Sequence, residues 1–222
     1  MRHKSILSLL IGIFLFFLPQ LNTTFPLDIK DDCLSCHGDK ELLEDLIEED
    51  PGRYLISSAD ITSSVHSELS CGSCHEGISD YPHPEIPPSV QCGSCHADVE
   101  NEYKTSVHGI AGERHIEEAP KCQDCHGKHD VKRSTERSSH TNRVNLPITC
   151  AKCHADPEII KKYEIPIPTV FKMYEESVHG KALIERGVSM APTCSDCHGI
   201  HDLKPSTDPS SKIFRLNIAR TC

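Results

Sequence analysis

The chain has 222 residues and carries 33 acidic against 23 basic side chains, a formal net charge of −10. That balance excludes a nucleic-acid-binding surface, which needs a basic patch to meet phosphates. With no Trp and 5% aromatic residues, side chains alone make a thin core for a domain of this length, so the 13 Cys and 15 His must carry the organisation.

In chain order, Arg2, His3 and Lys4 precede an apolar run over residues 6–18. A basic start ahead of an apolar stretch too short for a comfortable membrane crossing reads as an export signal over residues 1–25. No clean Ala-x-Ala site follows, so an N-terminal anchor stays open as the alternative. Residues 26–58 hold Cys33-Leu-Ser-Cys36-His37 and then the acidic stretch 41–50. There Leu42, Leu43, Leu46 and Ile47 are spaced for one face of a short helix, with a solvated acidic side, and Pro51-Gly52 ends it.

From there a unit recurs. Residues 59–101 contain Ser64-Val65-His66, Cys71-Gly-Ser-Cys74-His75, His83 and Cys92-Gly-Ser-Cys95-His96. Residues 102–168 contain Ser106-Val107-His108-Gly109, Cys122-Gln-Asp-Cys125-His126-Gly-Lys-His129-Asp130 and Cys150-Ala-Lys-Cys153-His154. Residues 169–222 contain Ser177-Val178-His179-Gly180, Cys194-Ser-Asp-Cys197-His198-Gly-Ile-His201-Asp202 and Cys222. Cys122 and Cys194 are 72 positions apart, as are Cys150 and Cys222. Cys222 therefore aligns with the first Cys of a motif, and the chain is expected to be a piece of a longer protein with a seventh motif beginning there.

Cys-x-x-Cys-His occurs six times and uses twelve of the thirteen Cys. Two thiols about one helical turn apart can add across the two vinyl groups of one haem, and the following imidazole reaches the iron: this is the c-type haem attachment signature. A zinc ribbon, a redox dithiol or a disulfide framework does not require His directly after the second Cys. The expected cofactor is haem c, at six complete sites held by His37, His75, His96, His126, His154 and His198. With about 33 residues per haem beyond residue 26, the porphyrins supply the core that the side chains lack.

Haem iron takes a second axial ligand, whose identity separates an electron carrier from a catalyst. Apart from Met1, only Met173 and Met190 are available, so Met cannot be the general ligand. His66, His83, His108, His129, His179 and His201 recur with the repeat and match the six sites in number. His129 lies three residues after His126 and cannot pass around the same porphyrin, so His129, and likewise His201, should ligate a neighbouring haem. His115 and His140 lack histidine counterparts in the last copy and read as surface residues, with service to a seventh haem or in place of His83 as the alternative.

The remaining elements are modest. The segments 103–108 and 174–179 read as the ends of short helices, the second beginning near Thr169 with Val170, Phe171, Tyr174 and Val178 on one apolar side. Tyr103 and Tyr174 either pack on a haem edge or pack within the helices. Pro-rich joints lie at 81–88, 164–168 and 205–209. The expected fold is mainly α and coil, short helices and loops wrapped around a chain of haems, with little or no β.

The Ser-Val-His-Gly, Cys-x-Asp-Cys-His-Gly-x-His-Asp and Thr-Cys-x-x-Cys-His-Ala-Asp segments resemble those of multihaem c-type cytochromes of the cytochrome c3-like and octahaem-like group, over most of residues 60–222. The resemblance implies that His108, His179, His129 and His201 are distal haem ligands. It also implies an exported protein, periplasmic or at the cell surface, in anaerobic respiration. The first functional expectation is a bis-His electron carrier rather than a catalyst. Its partners would be redox proteins: a quinol-oxidising membrane cytochrome, a terminal reductase or other cytochromes. The alternative is a reductase or oxidase of small nitrogen or sulfur oxyanions with one open haem. Membrane association would run through the N-terminus or through a part beyond Cys222.

Overall fold

The computed structural model describes residues 29–78, 83 and 88–222. The segment read as an export signal, and most of the Pro-rich joint at 81–88, lie outside them. The described residues are short helices joined by turns and loops, with no strand among them. No helix among them is long and apolar enough to cross a membrane.

Helix α1 (Ile29–His37) carries the first motif and α2 (Lys40–Leu46) follows. Asp39 caps α2 by accepting from the Leu42 amide at 3.0 Å. The acidic helix is shorter than expected: Ile47 is already extended, and Asp50 adopts a left-handed φ of 49° just before Pro51. In two turns only Leu43 reaches the interior, and Leu46 stays 61% exposed. Helix α3 (Ser58–Ser63) leads into the first Ser-Val-His.

The motifs at Cys71 and Cys92 form 3-10 turns, Cys71–Ser73 and Cys92–Ser94, because each has Gly after its first Cys, and Gly disfavours helix by about 1 kcal/mol. Helix α4 (Ala97–Lys104) then runs to α5 (Val107–Glu113) and α6 (Cys122–His126). Helices α7 (Leu146–His154), α8 (Pro157–Lys162), α9 (Val170–Glu176), α10 (Val178–Gly180), α11 (Cys194–His198) and α12 (Ile218–Thr221) complete the chain. In α6 and α11 the Asp of Cys-x-Asp-Cys-His folds back on the helix start. Asp124 accepts from the Lys121 amide at 2.6 Å, and Asp196 from the Thr193 amide at 2.7 Å.

Ser-Val-His begins a helix where the sequence suggested an end. Helix α4 stops at Lys104, and Ser106 starts α5 by accepting from the Gly109 amide at 3.0 Å. Ser177 does the same for α10 through Gly180, so Val178 leaves the apolar side of α9 and is 79% exposed. The side-chain core is as thin as composition demands: among the described residues the buried apolar side chains are Leu43, Ala119, Pro147, Leu183 and Ala191. Successive copies are joined by single backbone bonds. The Val65 amide donates to the Val131 carbonyl at 2.8 Å, and the Val107 amide to the Leu203 carbonyl at 2.9 Å.

Candidate haem-attachment sites

Each Cys-x-x-Cys-His sits on one helical turn or 3-10 turn, so the two thiols and the imidazole leave the backbone within a single winding. Among the described residues no three His, Cys, Asp or Glu groups converge as a structural zinc site would require.

The imidazoles come together in pairs. Ring centroids are 5.9 Å apart for His37 and His83, 6.1 Å for His66 and His96, and 6.0 Å for His75 and His129. They are 6.1 Å apart for His108 and His154, and again for His126 and His201. One such contact falls within ordinary aromatic packing distances. Five that each join one motif His to one His outside a motif make a pattern. A ligating nitrogen sits about 2 Å from a first-row metal and the ring centre about 1 Å behind it, so two rings facing across one metal have centres about 6 Å apart. The residues present therefore fit iron held between two imidazoles.

The pairing follows a rule. His66 and His108, each from a Ser-Val-His, face the second motif of their own copy. His83, His129 and His201 face the first motif of the preceding segment, which is why His129 meets His75 and not His126. His179 and His198 face no second imidazole among the described residues. His140 instead lies 3.3 Å from the Asp130 carboxylate.

Burial holds His75, His108, His126, His129, His154 and His198 below the ordinary value of 6.5. The facing imidazole adds to this at His108, His126 and His129. Neutral rings keep a lone pair for a metal at pH 7. At His37 the tautomer is also set: Nδ1 lies 2.9 Å from the Tyr54 carbonyl, which can only accept, so the proton sits on Nδ1 and Nε2 is left to ligate.

The sites are ordered along the chain. Cys74 lies close enough to Cys92 and Cys95 to feel their charge, as Cys125 does to Cys153 and Cys197 to Cys222. Between copies the first cysteines of adjoining motifs lie side by side, Cys92 with Cys122 and Cys150 with Cys194. Helix α1 packs on the turn at Cys71–Ser73, α6 on α7, and α7 on α11.

The hydrogen bonds made by Tyr103 and Tyr174 escaped the sequence reading. The Tyr103 hydroxyl donates to the Pro120 carbonyl, and Tyr174 to Pro192 at 3.0 Å, tying α4 and α9 to the approach of the next motif. The signal was present, since Tyr and Pro recur in both copies. Arg143, discussed below, carried no motif at all.

Over 197 residues the chain is 25% identical to the multihaem cytochrome MtrA of Shewanella baltica (strain OS185), a match covering 86% of this chain. The chain spans about half the length of that relative, 51%. No family model matches the chain. No solved structure matches it either.

Proposed function

We propose that this chain, a multihaem c-type cytochrome, passes electrons in respiration through haems each held between two histidines. The observation that carries the proposal is the set of five facing imidazole pairs at 5.9–6.1 Å. When bound, each haem would supply a one-electron ferric/ferrous couple, with no bond made or broken. The protein's part is to anchor and enclose. Paired Cys would hold the group covalently, and the motif His and the His from outside would hold its iron. A filled second position excludes small-molecule substrates.

On this reading His37, His75, His96, His126, His154 and His198 are the motif ligands, and His83, His129, His66, His201 and His108 are the facing ligands of the first five. His198 is the sixth motif ligand, and His179 remains as a further candidate ligand. Export to the periplasm or cell surface follows from the chemistry of thioether attachment and the N-terminal basic and apolar run. Redox proteins are the partner class.

The test is the ferric spectrum of the purified protein in the near infrared and by electron paramagnetic resonance, beside a haem-to-protein ratio. Low-spin bis-histidine signals with about six haems per chain are expected. Protein without covalent haem, or with mainly high-spin iron, overturns the proposal.

One observation favours a second reading. Because His198 faces no second imidazole among the described residues, the haem at Cys194 and Cys197 is where a small nitrogen or sulfur oxyanion would bind if the protein were a reductase or oxidase. A high-spin component that shifts on adding nitrite or sulfite, with turnover, would select that reading.

A further inference from the structure

Helix α7 packs on α11 where the second copy of the repeat hands over to the third. One side chain spans that junction. Arg143 stands just before α7, which carries Cys150, Cys153 and His154, and it reaches across to α11. Its Nη1 and Nη2 donate to the two carboxylate oxygens of Asp196, each at 3.0 Å. Asp196 lies between Cys194 and Cys197, inside the sixth motif. Nη2 also donates to the Ala191 carbonyl at 3.0 Å and the Met190 carbonyl at 3.4 Å, and Nε to the Ser189 carbonyl at 3.2 Å. The planar fork thus fixes both the sixth motif and the strand of chain leading into it.

The arginine's own base is rigid. Asn145 donates to the Arg137 and Ser139 carbonyls, Asn142 to Ser134, and the buried Ser139 hydroxyl to Lys132. The same loop recurs around Asn217 and Ser211 and places Arg215 in register, but Arg215 is exposed and grips nothing among the described residues. At the preceding copy boundary, between Cys92 and Cys122, Asp124 holds the place of Asp196 and bonds the Lys121 amide, with no arginine on it among the described residues. Among the described residues the clamp is seen at this junction.

We propose that Arg143 is a positioning residue that sets the separation and relative orientation of the fifth and sixth haem-attachment segments, and with them the passage of electrons from the second copy into the third. This rests on the electron-carrier reading. Arg143 also offsets the Asp196 carboxylate, so its loss leaves a negative charge unbalanced beside the sixth site and lowers the reduction potential there.

The experiment compares haem-loaded wild type with Arg143→Ala, Arg143→Lys and Arg215→Ala, reading haem content, the redox titration, magnetic coupling between haems, and the rate of internal electron equilibration after a flash. Arg143→Ala should keep its haem content, move one potential downward and equilibrate about tenfold more slowly, as loss of a preset geometry does for reacting groups. Arg143→Lys should recover the potential but not the rate, because a point charge replaces a fork. Arg215→Ala, which removes the same charge from the same register, should match wild type. Equal rates and coupling in wild type, Arg143→Ala and Arg143→Lys overturn the proposal, as does an Arg215→Ala that behaves like Arg143→Ala. Should Arg143→Ala fail to fold, the rate and coupling of Arg143→Lys decide alone. Wild type without covalent haem overturns the electron-carrier reading itself, and this proposal with it.

Discussion

Gly109 and Gly180 end their Ser-Val-His-Gly segments because nothing larger fits. A Cβ on Gly109 would fall 2.7 Å from the Lys104 Cα and closer still to the Tyr103 carbonyl, and Gly180 is crowded in the same way by Tyr174 and Glu175. The preceding helix crosses there, and the contact aims the histidine one residue earlier. Gly109→Ala should push the two helices apart, cost about 1–3 kcal/mol in a chemical melt, and turn the haem at Cys150 and Cys153 high-spin as His108 is displaced. An unchanged spectrum would separate the glycine from the ligand. Gly127 is constrained differently, with φ at 91° and Asp130 packed against it, as Gly199 is at 92° against Asp202. That turn swings His129 and His201 away from their own motifs. Glu118 makes a third local case. Lys162 at 2.5 Å and then the Tyr163 hydroxyl hold its carboxyl below the ordinary 4.5. Since the folded value is the lower one, the link is present above 4.5 and lost as pH falls through the folded value. The difference in thermal midpoint between wild type and Glu118→Gln should therefore close as pH falls below 4.5.

Among the elements, the break between α4 and α5 matters most. Ser106 is fully buried and accepts from the Gly109 amide, so the chain changes direction at Ser-Val-His instead of ending there. Ser106→Ala should cost about 0.5–2 kcal/mol in an unfolding titration, the usual worth of an N-cap. An exposed serine elsewhere, such as Ser138, should cost much less. The recurrence of Ser-Val-His-Gly was legible at once in the sequence. Its role as a helix start was not, because Tyr103 to His108 carries no helix breaker and the cap depends on a hydrogen bond within the folded turn.

Across the molecule, the copies are interlocked. The facing histidine for each first motif comes from the next copy along, His129 for His75 and His201 for His126. The backbone bonds of Val65 with Val131 and of Val107 with Leu203 run through the same segments. His129→Ala should turn the haem at Cys71 and Cys74 high-spin and leave the one at Cys122 and Cys125 low-spin. His201→Ala should do so at Cys122 and Cys125. Resonance Raman spectra of the variants check both, and a change confined to the haem of the mutated copy would contradict the interlock.

The six attachment motifs, the mainly helical fold and the thin side-chain core were determined by sequence alone. Two thiols and an imidazole within one turn are a local arrangement that needs no tertiary contact, and a chain without Trp cannot pack a large core by itself. The sequence also delivered the pool of recurrent histidines and one constraint, that His129 is tethered too tightly to serve its own site. Which histidine faces which was decided only by the tertiary structure, along with the helix start at Ser106 and the grip of Arg143 on Asp196. The ring pairs join residues from 30 to 75 positions apart. At such separations, the packing of one copy on the next sets the distance, and spacing along the chain does not.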